Sequence, residues 1–338
     1  MQVVLLGNDG KEQLGEVPDP VPAPGEVVVR VDYCGICGSD LHAQQQGFSA
    51  GVALGHEFAG VIEEIGRDVT AFNVGDRVCV NPNGDWCGDC GFCRAGQYNL
   101  CTELFRTAVG VARHGGMAPY TAVPTKVLHR LPDGVNTKQG AWVEPLATAL
   151  RGVRRSGIGM GEAVFVSGAG PIGLLVIALL RSMGVGEITV FEPSTTRSAK
   201  AKATGADVVI DPLSVDPAAV FENPATAPAY GFECSGVAAA IDTSMRVLRP
   251  RGVLTVTGVA PKPPFYQAPD LVFKELTVRG SFIYEQEFAM AIDLLDRGVI
   301  DIEPLTSDVR PIAAGPQAFD DLRRAADSVK VMLSAGQS

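Results

Sequence analysis

Hydrophobic positions along the 338-residue chain follow two different rhythms. Up to about residue 145 they come as short β-branched runs, such as 26–31, 60–65 and 76–80, punctuated by the turn sequences PAPG (22–25) and NVGD (73–76). Runs of this kind predict strands joined by turns. From about Gly161 the rhythm becomes strand, glycine turn, helix. Strands are expected at 163–167, 187–191, 207–210 and 252–256, with helices at 174–183, 195–204 and 237–248. That alternation predicts a parallel sheet covered by helices on both faces. Beyond Glu285 the pattern gives a helix over 288–296, another near 317–326 and a strand over 330–333. Segments 276–280 and 282–284 read as strand-forming and offer an edge for pairing. The alanine- and proline-rich stretch 217–228 reads as a surface excursion.

Charge narrows the partners. With 28 Lys and Arg against 38 Asp and Glu, the net charge is −10, and no basic run offsets it. An acidic surface argues against nucleic acid or anionic membrane as the main partner. Only four apolar residues in a row precede Gly7, and the longest apolar run elsewhere, 174–180, is seven residues. Both are too short for a secretory signal core or a membrane span, so a soluble cytoplasmic protein is expected.

The second rhythm contains its own chemistry. Gly168, Gly170 and Gly173, with Pro171 and Ile172 between them, follow a buried strand and open an apolar helix. Glycines at this spacing make a tight turn, let backbone approach a pyrophosphate and bring helix close to strand. The helix N-terminus offers free N–H groups to the phosphates. Glu192 ends the next strand, nineteen residues beyond Gly173. A carboxylate there accepts hydrogen bonds from adenosine ribose hydroxyls and repels a 2′-phosphate, so NAD(H) is expected over NADP(H). Arg197, one helical turn on, is the residue that would tolerate such a phosphate.

Cysteines mark a second kind of site. Cys87, Cys90, Cys93 and Cys101 are separated by two, two and seven residues, with Gly88, Gly91 and Gly96 between them. The spacing suits one structural zinc in a closed thiolate site. A disulfide pair or reduced core cysteines is the alternative. Of the other four cysteines, Cys79 and Cys234 read as packing residues, while Cys34 and Cys37 belong to CGICGSDLH (34–42). With LGHE (54–57), that motif supplies a thiol, an imidazole and carboxylates, the donors of a catalytic zinc that keeps an open position.

The motifs CGICGSD (34–40), GHE (55–57), the four-cysteine array (87–101), EPLA (144–147) and GAGPIG (168–173) run in this order through essentially the whole chain. Together they resemble the zinc-dependent medium-chain alcohol dehydrogenases. The carboxylates of GHE and EPLA and the stretch KELTVRGSFIY (274–284) resemble the polyol, butanediol and threonine dehydrogenase branch. The resemblance implies a β-rich GroES-like catalytic domain over 1–148 and a Rossmann α/β domain, a doubly wound parallel sheet, over 149–284. Residues 285–338 would complete both. It implies two zinc ions per chain and a homodimer or homotetramer. Cys37, His56 and Glu57 would hold the catalytic zinc, with Glu144 a fourth ligand or the partner of a bound water. Asp40 would fix the far nitrogen of His56, Ser39 would contact the substrate hydroxyl, and His42 would pass its proton to solvent. Hydride transfer between a secondary alcohol, a small diol or polyol-like molecule, and NAD would then give the ketone.

The pattern departs from that branch in three places. Only eighteen residues separate Cys37 from His56, so the loop AQQQGFSAG (43–51) is shortened. Ile283-Tyr284 stands where polyol enzymes of this branch often carry Arg-Tyr, and Ala43 where a tyrosine follows the relay histidine. Losing two polar contacts favours a smaller, less hydroxylated secondary alcohol. Alternatives that share part of the pattern are a zinc-free quinone or enone reductase, a non-catalytic NAD-binding zinc protein, and a zinc-ribbon nucleic-acid module, the last opposed by the acidic charge.

Overall fold

A computed structural model describes residues 1–260, 266–324 and 328–336. They form two compact units, one from residues 1–144, 285–324 and 330–336, the other from 145–260, 266–284 and 328–329. Among the described residues no helix is long and apolar enough to cross a membrane.

The first unit is built on a sheet with the order Thr306–Pro311, Lys330–Ser334, Glu26–Gly35, Glu57–Ile65, Arg77–Val80, Leu128–Arg130, while Tyr120–Pro124 also pairs with Glu26–Gly35. The first two strands are parallel and the other pairs antiparallel. Alternate side chains of Glu26–Gly35 (Val27, Val29, Val31) join Phe58, Ile62, Val78 and Val80 in one buried core. Two register shifts against Glu57–Ile65, at Val28/Val29 and Val31/Tyr33, bend the long strand before it ends. Bulges of this sort re-aim the chain beyond them, and here that chain is Ile36-Cys37. Gly35 lies opposite Glu57, and a Cβ there would fall 2.3 Å from the Glu57 carboxylate.

The second unit is a six-stranded parallel sheet with the order Val208–Ile210, Ile188–Phe191, Val164–Ser167, Tyr230–Glu233, Val253–Val256, Thr277–Gly280. In chain order this is 3-2-1-4-5-6, the doubly wound arrangement with its switch point beside the first strand. Helices Pro171–Ser182, Thr195–Thr204 and Ala238–Val247 lie near the expected positions. Pro171 opens the first, where a missing N–H costs nothing and φ is preset.

Several elements differ from the expected pattern. A helix, Val143–Ser156, was not foreseen and carries Glu144 in its first turn. Phe282–Tyr284 is not a strand, because Ile283 adopts φ 39° and turns the chain out of extended geometry. The stretch 217–228 holds a short helix, Pro217–Val220. The helix expected near 317–326 is Gly315–Arg324, and residues 325 and 326 lie outside the described residues.

The turn after Val164–Ser167 is held by close backbone contact. Gly168 has φ 92°, and a Cβ on Gly173 would stand 1.9 Å from the Gly168 carbonyl oxygen. Gly173→Ala should therefore destabilise the chain by about 1–3 kcal/mol through overpacking, seen as a lower Tm in thermal denaturation; an unchanged Tm would contradict this reading of the turn.

Candidate functional site

Bending of the long strand and a tight turn at Gly55 bring two distant segments together. Gly55 has φ 94°, and a Cβ there would strike the Cys34 sulfur, so only glycine lets His56 leave the turn as it does. Cys37, His56 and Glu57 each point one donor atom into the same space, all within 4.8 Å of one another. Asp40, wholly buried in the short turn Asp40–His42, accepts the Cys37 N–H through Oδ2 at 2.9 Å. Its Oδ1 faces His56 Nδ1 at 3.4 Å, an ion-pair distance at which neither atom forms a hydrogen bond. Ser39 Oγ lies 3.4 Å from His56 Nε2. Phe48 of the shortened loop packs edge-on against the imidazole, ring centroids 6.3 Å apart.

Electrostatics show what this space favours. Burial alone would lower the His56 pKa, yet the Asp40 carboxylate and Cys37 raise it well above its ordinary value. The surroundings of the imidazole are therefore strongly negative, which favours a cation in this space despite the cost of desolvation. One soft sulfur, one imidazole nitrogen and one carboxylate are donors that zinc accepts in an open site. The residues fit the metal.

Other expected residues are spread more widely. Glu144 is buried but is not among the three donors that lie within 4.8 Å. His42 is exposed. Cys34 is a strand residue paired with Phe58, its thiol is pushed well up by burial, and it lies outside the donor set.

Lys330 is the residue that sequence reasoning missed. Its Nζ donates to Glu57 Oε1 and Oε2 at 2.9 and 2.6 Å and to the Ile36 carbonyl at 3.0 Å, in a pair whose side chains are each 2% exposed. Burial alone would lower its pKa, but Glu57, then Cys37, with a smaller effect from Glu144, raise it. The available signal was a lysine opening the apolar run Val331-Met332-Leu333.

The second cysteine group converges as its spacing predicts. All eight cysteines are free. The Cys87 sulfur lies 3.5 Å from Cys101 and 3.9 Å from Cys93, whereas a disulfide would need about 2.05 Å. Sulfurs around one tetrahedral zinc lie about 3.8 Å apart. Backbone N–H groups of Cys87, Cys90, Cys93 and Glu103 point at sulfurs of the group, as they do towards thiolates. The Cys93 N–H brings the Cys90 thiol down to about 6, while burial pushes the Cys93 thiol up to about 12. Four sulfurs this close cannot all ionise by themselves, and a cation among them would remove the conflict.

In the second unit, Glu192 is buried against the glycine turn. Its Oε2 accepts the Ala169 N–H at 2.8 Å and its Oε1 the Ser194 N–H at 2.9 Å. Arg197 donates through Nη2 and Nε to the Ser328 carbonyl at 2.8 and 3.3 Å. Cys234 packs beside Thr257, whose hydroxyl lies 3.3 Å from its sulfur.

Comparison with known proteins gives the family of the chain. Residues 23–133 match the alcohol dehydrogenase GroES-like domain, and residues 171–297 match the zinc-binding dehydrogenase family. The chain is 36% identical to 2-dehydro-3-deoxy-L-galactonate 5-dehydrogenase of Pseudoalteromonas atlantica over 92% of both chains. It is 33% identical to sorbitol dehydrogenase of Gallus gallus, over 98% of this chain and 95% of the relative. Among solved structures, a zinc-binding dehydrogenase from Sinorhizobium meliloti 1021 bound to NADP superposes with a TM-score of 0.93 at 34% identity, over 98% of each chain. The fold and these matches define a dehydrogenase with a GroES-like and a Rossmann domain. The chain belongs to the zinc-dependent medium-chain alcohol dehydrogenases, in their polyol branch, and is an oxidoreductase. The zinc-free reductase and the non-catalytic NAD-binding protein are thereby disfavoured.

Removing one sulfur from the four-cysteine group should loosen that lobe without touching the donors around His56. Cys93→Ser is expected to lose one zinc per chain and to lower Tm on the order of 5–10 °C. Elemental analysis and thermal denaturation of the same sample check this; full zinc content would contradict it.

Proposed function

We propose that the chain oxidises a small secondary alcohol carrying a neighbouring oxygen, such as a vicinal diol, to the ketone with NAD as hydride acceptor. The observation that carries this reading is the convergence of Cys37, His56 and Glu57 on one space, with Asp40 behind the imidazole. Residues 1–148 would act as the catalytic domain and 149–284 as the nucleotide domain, with the segment from 285 onward completing both.

Cys37, His56 and Glu57 would hold the catalytic zinc, with Glu144 as a fourth donor or the anchor of a water. Cys87, Cys90, Cys93 and Cys101 would hold the structural zinc. When bound, zinc would supply Lewis acidity that eases loss of a hydroxyl proton, and the nicotinamide would supply the hydride acceptor. Asp40, with Oδ1 3.4 Å from Nδ1, would orient the imidazole and fix its tautomer once the two close to hydrogen-bond distance. Ser39, beside Nε2, would contact the substrate hydroxyl and accept its proton while releasing its own, which exposed His42 would pass to water. Phe48 gives the His56 side an apolar wall.

The nucleotide would lie over Gly168, Gly170, Pro171, Ile172 and Gly173, with the ribose on Glu192. NAD(H) is favoured because the Glu192 carboxylate is locked in place and the Arg197 guanidinium is committed to Ser328. The relatives act, by name, on polyhydroxylated chains, whereas Ala43 and Ile283 remove polar partners. That contrast favours the smaller diol. The exposed edge strand Thr277–Gly280 supports a homodimer or homotetramer, and the reading places the protein in the cytoplasm.

Turnover of 2,3-butanediol and sorbitol with NAD and with NADP tests the reading. The butanediol–NAD pair is expected to give the highest kcat/KM, and better efficiency on sorbitol or with NADP would overturn that part. Cys37→Ser should cut kcat on the order of 1,000-fold or more with Tm nearly unchanged. Retained activity would overturn the catalytic assignment.

A further inference from the structure

We propose that Lys330 is the positioning residue of the Cys37–His56–Glu57 centre: its buried ammonium sets where the Glu57 carboxylate lies and ties together the segments that carry the donors. The inference rests on the zinc-centre reading above and adds a residue to it.

An ammonium has three N–H donors. On Lys330 all three are used, two on Glu57 and one on the Ile36 carbonyl. Ile36 precedes Cys37, and Glu57 follows His56. The same Nζ stands 5.6 Å from the ring centroid of Trp142, two residues before Glu144. One cation therefore touches a residue next to, or two from, each segment expected to donate to the metal. Its own position is fixed by strand pairing: Ile36 N–H donates to the Val331 carbonyl at 3.0 Å, and Met332 and Leu333 face Gly35 and Cys34. Gly35 completes the device. Its missing side chain leaves the space that Glu57 Oε2 occupies, and a Cβ would stand 2.3 Å from that oxygen.

Burying a lysine and a glutamate together is a weak source of stability compared with apolar packing. What the pair does provide is direction. Both Glu57 oxygens share one cation, so the carboxylate cannot swing away from the donor space, and part of its charge is balanced before any metal arrives. A hydrogen-bonded carboxylate ligand of this kind depends on its outer partner for affinity.

The test is zinc binding by the full chain, titrated with Zn²⁺ against a competing chelator, for wild type, Lys330→Met, Lys330→Arg and Cys37→Ser. Lys330→Met should weaken the less tightly bound zinc by about 10–100-fold while the four-cysteine zinc stays in place. Lys330→Arg should recover most of the loss, since it keeps the charge and paired donors. Lys330→Met alone leaves Glu57 uncompensated, so the same comparison is made in Glu57→Gln, where adding Lys330→Met leaves two neutral side chains. There Lys330→Met should change affinity by less than about threefold, because the lysine acts through the glutamate. Unchanged affinity in Lys330→Met, or an equal loss in the Glu57→Gln background, would overturn the proposal. Cys37→Ser separates this outcome from failure of the centre itself: if it still binds two zinc ions, the zinc-centre reading is wrong, whereas its losing one while Lys330→Met loses none sinks only the role of Lys330.

Discussion

Negative charge collected in a dry interior must be balanced by a cation, and the first unit is organised around that constraint. Asp40, Glu57 and Glu144 are all buried in it, together with the Cys37 thiol at its edge. The Lys330 ammonium, held by Glu57, answers part of the demand. Desolvation opposes that charge, and the neighbouring carboxylates overcome it. Cys37, His56 and Glu57 converge there with donors a divalent ion would accept, and under the proposed function such an ion would answer the rest.

The fold supplies this concentration of charge with little local machinery. Two bulges and a glycine end the long strand Glu26–Gly35, and a left-handed glycine at position 55 starts the next segment. Strand Lys330–Ser334 returns from the far end of the sequence to close the site. The second unit solves a different problem with the same means. Gly168 and Gly173 let helix and strand approach until no side chain fits, and Glu192 is pinned to the backbone of that turn. In both units, a glycine marks the place where backbone must come closest to chemistry.

Much of this was legible in the sequence because it is local. The alternation of strand and helix after Gly161, the glycine turn and the four cysteines each declare themselves within about twenty residues. The donors Cys37, His56 and Glu57 were legible by resemblance, since each residue type alone is common in cores. Three features were not. Helix Val143–Ser156 carries Glu144-Pro145 in its first turn, a sequence that read as a motif rather than as a helix start, although a first-turn N–H has no intrahelical partner to lose. Segment 282–284 has strand-forming residues, but Ile283 is held at positive φ, which no propensity foretells. Lys330 read as a strand's first residue of an exposed type, and its partner Glu57 lies 273 positions away. Long-range pairing of that kind is written in the sheet order, not in any window of sequence.

The account stands or falls on two zinc environments of different chemistry within one chain. Zinc content and X-ray absorption at the zinc edge, measured on the purified full chain and on Cys37→Ser, test it most directly. The account predicts two ions in the full chain, one ringed by four sulfurs and one with a single sulfur among nitrogen and oxygen, and only the four-sulfur ion in the variant. A single zinc in the full chain, or two four-sulfur environments, would contradict it.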